Sequence, residues 1–157
     1  MININEGIIV FLKKIKDYDL YIRILSSNDE LISGIVYGGN SSKKKLIYQI
    51  GYFIDFNMLL KNNNSIASIN GEVSSPFIFS FFNNKFKAFS LLAIISLVNI
   101  SIVEGQKITG LFDSIKNLII NINNNKHWLI NFCKWLFHLL KMIGYQIDYN
   151  EKRNFKY

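Results

Sequence analysis

Cysteine and proline are nearly absent from this chain of 157 residues, which has one of each. A single thiol excludes a disulfide framework and a cysteine zinc site within the chain, and it is typical of a reducing cytoplasm, where we expect the protein to reside. The two histidines, His127 and His138, are too far apart in sequence to form the i, i+4 pair of a helical metal site. We therefore expect no catalytic constellation, no metal and no cofactor, which favours a binding protein over an enzyme.

Cys133 and His138 both fall in an apolar segment near the C-terminus. No neighbouring residue activates the Cys133 thiol, so we expect a core position for this residue. His138 is predicted to be a semi-buried, hydrogen-bonded histidine and not a ligand.

Acidic residues are also scarce: there are 11 of them against 18 lysines and arginines, a net charge of +7. Residues 1–75 carry eight basic and seven acidic side chains, whereas residues 76–157 carry ten and four. A basic chain favours a polyanionic partner, either nucleic acid or an anionic membrane surface. The alternative that composition leaves open is a solvated lysine-rich surface.

The first half of the chain has the pattern of a small β-domain. Runs of β-branched and aromatic residues separated by turn signals predict five strands. These strands cover residues 8–15, 20–25, 31–37, 51–60 and 66–73. Five short strands favour an OB-like barrel for residues 1–75, in which the interior Gly34 marks a bulge or a bend.

The periodicity becomes helical after Pro76, where we place a domain boundary. Apolar residues at helical spacing predict helices at 85–103, 109–122 and 126–143. An α-helical domain over residues 76–157 gives the chain an α+β fold, with Gly144 ending the last helix. Residues 86–103 are apolar and just long enough to span a bilayer, so a membrane-associated structural or interaction protein is an alternative.

Lysines concentrate at one loop and one strand end of the predicted barrel. Lys43, Lys44 and Lys45 lie in a Gly/Ser-rich loop between two strands, from which several ammonium groups can reach phosphates. Lys13 and Lys14 end the first strand and join the same surface. We therefore predict that these five lysines bind nucleic acid.

Arg23 is predicted to share a strand face with Tyr21, a combination suited to phosphate contact and base stacking. It is the sixth predicted nucleic-acid-binding residue. Because nothing in the pattern reads the 2′-hydroxyl, an RNA-binding OB module is a second alternative to a DNA-binding protein.

The last predicted helix is apolar around most of its circumference, which is typical of a core helix. Part of this surface can also form an apolar pocket rimmed by Lys134 and Lys141. Such a pocket suits a short acidic peptide with aromatic side chains, so these two lysines are predicted partner-binding residues.

The order of these features resembles RecO, the bacterial recombination mediator, over nearly the whole chain. The segments that carry the resemblance are Gly7-Ile8-Ile9-Val10, residues 19–26, residues 31–38, Lys43-Lys44-Lys45-Leu46, Gln49-x-Gly51 and Leu139-Leu140-x-x-Ile143-Gly144-Tyr145-x-Ile147-Asp148. Members of the family usually continue past the last segment into a region that often holds a cysteine zinc site. Since this chain ends at Tyr157, it resembles a C-terminally shortened member, and zinc binding is not carried over.

The resemblance implies a cytoplasmic, nucleoid-associated mediator of DNA repair and homologous recombination. RecO-like proteins bind single- and double-stranded DNA and anneal strands coated by single-strand-binding protein, whose acidic C-terminal tail they contact. Together with RecR they assist the loading of RecA. The implied chemistry is binding and strand annealing, without bond cleavage.

Overall fold

The computed structural model describes residues 4–60, 66–75, 81 and 83–145. Its strands are β1 (Asn5–Lys14), β2 (Leu20–Ser26), β3 (Leu31–Val36), β4 (Phe53–Leu59) and β5 (Ser68–Ser75). All five predicted strands are confirmed, with ends displaced by three residues or fewer. Pro76, at the predicted domain boundary, lies outside the described residues.

The strands form a closed barrel in the order β1-β2-β3-β5-β4. Every pairing is antiparallel except that of β3 with β5, where Ile35 faces Ser68 in parallel. Closure gives every strand of the barrel a neighbouring strand on both sides. A closed five-stranded barrel followed by helices confirms the predicted α+β fold.

Gly34 stands where the barrel closes. A Cβ at this position would lie 2.6 Å from the Ile69 side chain and 2.7 Å from the Ala67 carbonyl oxygen. The β2–β3 register passes through Gly34 without a shift, so no bulge accompanies it. The glycine instead lets β5 approach β3 closely enough to pair.

The helices of the described part are α1 (Lys85–Ser101), α2 (Leu111–Asn124) and α3 (Trp128–Met142), which confirms the three predicted helices. The Asn84 side chain caps α1 by accepting hydrogen bonds from Phe86 and Lys87. Gly144, at a φ of 96°, ends α3 as predicted. Its amide donates to Lys141 and the next amide to Leu140, which is a Schellman motif.

The hydrophobic core has two layers that share the barrel wall. The barrel interior contains nine buried residues: Ile9, Leu20, Ile22, Ile24, Val36, Tyr48, Ile54, Phe56 and Ile69. The second layer lies between the outside of the barrel and the helices, where Ile8, Val10 and Phe53 pack with the buried faces of α1 and α2. Since Ile8, Ile9 and Val10 are all buried, β1 is covered on both faces, by the barrel interior on one side and by the second layer on the other.

Two polar contacts fix α2 against the barrel. The carboxylate of Asp29, in the β2–β3 turn, accepts hydrogen bonds from the amides of Gly110 (2.7 Å) and Phe112 (2.9 Å). It thereby caps a helix whose own N-cap residue, Gly110, has no side chain. Glu6 of β1 pairs with Lys116 of α2 through both carboxylate oxygens at 2.8 Å.

α3 packs on α2 along one side only. Its buried residues are Trp135, whose indole donates to the Ser114 hydroxyl (2.9 Å), and Leu139. Cys133 and His138 are exposed, so the predictions of a core position for Cys133 and a semi-buried position for His138 are wrong. The apolar sequence predicts burial around the whole helix, but the described part of the chain covers only one face.

The apolar segment 86–103 forms most of α1. In the described part of the chain, no helix combines the length and the hydropathy that crossing a bilayer requires. The buried side chains of α1 are Ser90, Leu91, Ile94, Ile95 and Val98, which pack towards the barrel and α2.

Candidate nucleic-acid interface

The loop that carries three of the predicted lysines connects β3 to β4 over residues 37–52, and we name it the lysine loop. It is a succession of hydrogen-bonded turns. The amides of Lys44 and Lys45 both donate to the Ser41 carbonyl, and the Ile47 amide donates to that of Lys44. The loop therefore holds its lysines on a folded backbone.

Tyr48 anchors the lysine loop in the barrel. Its side chain is 1% exposed and lies among the residues of the barrel interior. The hydroxyl donates to the Gly71 carbonyl (3.1 Å) and accepts from the Gly71 amide (2.9 Å). Burial raises the pKa of the Tyr48 hydroxyl and the Glu72 carboxylate adds to the rise, whereas the Gly71 hydrogen bond opposes it.

The β1–β2 turn lies against the start of the lysine loop. The Asp19 carboxylate accepts from the Gly38 amide (2.9 Å), and the Tyr18 carbonyl accepts from the Asn40 amide (2.8 Å). Lys13 and Lys14 are the last residues of β1, immediately before this turn. The structure thus brings Lys13 and Lys14 to the same end of the barrel as the loop lysines.

We name this surface the lysine end; its members are Lys13, Lys14, Lys43, Lys44 and Lys45. Four of them are exposed, and Lys44 is half-buried with its ammonium 3.5 Å from the Tyr37 carbonyl oxygen. Within the described residues, none of the five lies within ion-pair distance of a carboxylate. Their charge is therefore available to an external polyanion, whose condensed counterions would be released on binding and favour it.

Arg23 lies apart from the lysine end, against α1. Its guanidinium donates to the Asn99 side-chain oxygen (2.5 Å), and more weakly to the carbonyls of Asn99 (3.3 Å) and Ile102 (3.4 Å). α1 has no basic residue in its own last turn, so Arg23 supplies the cation that its carbonyl end favours. The guanidinium of Arg23 thus contacts Asn99 and Ile102 within the protein. Its contact with DNA stays a prediction.

We expect Arg23→Ala to lower the free energy of unfolding by about 1–3 kcal/mol, because it leaves the part-buried carbonyls at the end of α1 without their charged donor. Urea denaturation measures the loss. Lys14→Ala, an exposed basic residue on the neighbouring strand, is the matched control and should stay within about 0.5 kcal/mol of the unmodified protein. Equal stability of the two variants would contradict the helix-anchoring role.

Lys134 and Lys141 are both exposed on α3, as their predicted partner-binding role requires. Ile130 and Phe137, each 56% exposed, alternate with them at positions 130, 134, 137 and 141. This i, i+4, i+7, i+11 spacing puts apolar and cationic side chains on one line along the helix. The line is separate from the lysine end, since α3 packs on α2.

Sequence reasoning missed the residues that position the site, above all Tyr48, Asp29 and Asn99. Their partners lie 23 to 83 residues away in sequence. The one local signal is at Tyr48, which ends a short apolar run, Leu46-Ile47-Tyr48, directly after the polar loop. Such a run after a turn-rich segment indicates a side chain that returns to the core.

The chain is similar to proteins of known family. Residues 84–153 match the model described as recombination protein O C terminal. Relatives named DNA repair protein RecO include those of Rickettsia canadensis (28% identical over 90% of this chain and 58% of the relative), Rickettsia bellii (29%, 92% and 59%) and Orientia tsutsugamushi (26%, 91% and 59%). The chain therefore spans a little under three fifths of the length of these relatives, and the matched region includes both barrel and helices.

Proposed function

We propose that this chain, which is similar to RecO proteins over most of its length, is a non-enzymatic mediator of DNA repair and homologous recombination. In this proposal it binds single- and double-stranded DNA, promotes the annealing of complementary strands and assists RecA loading together with RecR. The observation that carries the proposal is the lysine end: five lysines at one end of a small closed barrel, none of them ion-paired with a carboxylate of the described residues.

The lysine end suits the phosphate backbone better than it suits a particular base sequence. Ammonium groups are point charges that contact phosphates without reading base edges. An annealing protein needs this property, because it has to hold any strand and let the strand find its complement. Neutralised phosphates also lower the repulsion between two strands that approach each other.

The helical part, residues 76–157, is proposed to contact protein partners as a second unit beside the barrel of residues 1–75. The line of Ile130, Lys134, Phe137 and Lys141 on α3 offers apolar contact and positive charge together. This combination suits the acidic C-terminal tail of single-strand-binding protein. In this proposal the partner surface on α3 is separate from the DNA surface at the lysine end, so the protein can hold DNA and single-strand-binding protein at the same time.

An annealing assay tests the function. Complementary DNA strands coated with single-strand-binding protein should anneal faster when the protein is added, because it holds both the strands and the protein that coats them. An unchanged annealing rate would contradict the proposal. Affinities for DNA and RNA of equal length and sequence separate the alternative, since clearly tighter binding of RNA would favour an RNA-binding module.

A further inference from the structure

A cavity of about 400 Å³ opens beside the lysine end, between the barrel, the lysine loop and α1. Its apolar wall is formed chiefly by Leu12, Leu20, Ile50, Tyr52 and Leu92. Asn40, Gln49 and Lys45 add polar and charged side chains to the same lining. Lys45 thus belongs both to this cavity and to the proposed phosphate-binding surface.

We propose that this cavity binds one unstacked nucleobase of a single strand whose phosphates lie on the lysine end. The inference rests on the proposed DNA binding and adds to it a subsite for a base. The volume of the cavity lies at the lower end of the range for small-ligand pockets, which begins at about 300 Å³. The position of Lys45 in its lining puts a phosphate contact within one nucleotide of the base.

The composition of the cavity matches a base better than a phosphate. An apolar and aromatic wall stabilises the flat face of a base, whatever its identity. Two amide side chains, Asn40 and Gln49, offer both donors and acceptors to the base edge. The Gln49 side-chain amide donates to the Lys45 carbonyl, and the Asn40 backbone amide donates to the Tyr18 carbonyl, so the side chain of Gln49 and the backbone of Asn40 are held beside the cavity.

The wall is also held firmly. Leu20 is 2% and Tyr52 8% exposed, and both are packed into the core layers on either side of the barrel wall. A preorganised wall loses little conformational entropy when a base binds. Bases in a duplex are stacked and paired and would have to flip out first, so the cavity favours single strands over duplex DNA.

The test compares a short oligothymidylate with an abasic oligonucleotide of equal length, which has the same phosphates and no bases. The unmodified protein should bind the oligothymidylate at least about tenfold more tightly, as expected for one stacked base. The double variant Ile50→Ser, Leu92→Ser removes two partly exposed apolar side chains of the wall. It should lose about tenfold of this preference and keep its affinity for the abasic strand.

Ile100→Ser combined with Val103→Ser is the matched control, because Ile100 in the last turn of α1 and Val103 just after the helix are exposed and line no part of this cavity. It should keep the full preference. Loss of the preference in the control as well, or its retention in the cavity variant, would overturn the subsite.

Two further outcomes are distinguishable. Equal affinity of the unmodified protein for both oligonucleotides would leave the phosphate surface standing and overturn the base subsite, whereas no affinity for either would overturn DNA binding and the subsite with it. An acidic, aromatic peptide that binds the unmodified protein but not the cavity variant, with the base preference unchanged, would assign the cavity to a peptide and overturn the proposal.

Discussion

Tyr48→Ala is expected to lower the free energy of unfolding by about 3–5 kcal/mol, as large aromatic truncations in a core do. The ring is buried among the residues of the barrel interior, so its removal leaves a cavity there. The lost hydroxyl also leaves the amide and carbonyl of Gly71 without their partner. Urea denaturation followed by circular dichroism measures the change.

Tyr48→Phe is the control that separates the ring from its hydroxyl. It keeps the packing and removes only the two Gly71 hydrogen bonds, so we expect a loss of about 1–2 kcal/mol. A Tyr48→Ala variant no less stable than Tyr48→Phe would contradict the view that the ring anchors the lysine loop.

Since burial raises the pKa of the Tyr48 hydroxyl, the stability that the protonated hydroxyl contributes to the fold is fully present below about pH 10 and is lost as the pH rises further.

Replacing Lys43, Lys44 and Lys45 together by alanine is expected to weaken single-stranded DNA binding about a hundredfold at about 0.1 M salt. Each phosphate contact contributes about −0.7 to the slope of log affinity against log salt, so three contacts correspond to about two powers of ten at that concentration. Fluorescence anisotropy with a labelled oligonucleotide measures the affinity. The three side chains are exposed or half-buried on a loop held by backbone hydrogen bonds, so the fold should persist.

The matched control is the triple variant of Lys85, Lys107 and Lys126, which removes the same net charge from exposed positions away from the lysine end. Both triple variants lose the same long-range attraction for DNA, but only the variant of Lys43, Lys44 and Lys45 also loses direct phosphate contacts. The control should therefore lose much less affinity. Equal losses would show that net charge alone, and not the lysine end, determines binding.

The fold could be predicted closely because its elements have strong local signals. Leu20, Ile22 and Ile24 alternate with Tyr21 and Arg23, and the structure buries the first three residues as the period of two requires. The helices were predicted in the same way from their apolar spacing. The local pattern does not contain the order in which strands pair, so the parallel closure of β3 on β5 comes from the structure alone.

The site could be predicted only in part. The clustering of Lys43 to Lys45 is visible in the sequence, and their proximity to Lys13 and Lys14 follows from the barrel's connections. The Arg23–Asn99 contact could not be predicted, because it joins a strand to a helix 76 residues later. Exposure of α3 was missed as well, since an apolar sequence does not reveal how much of its surface the rest of the fold covers.

The salt dependence of single-stranded DNA binding measures how many phosphates the lysine end contacts. Affinities of the unmodified protein and of the Lys43, Lys44, Lys45 triple alanine variant are measured at several salt concentrations. We expect a negative slope of log affinity against log salt that becomes shallower by about 2 in the variant. Identical slopes and affinities for the two proteins would contradict the assignment of DNA binding to the lysine end.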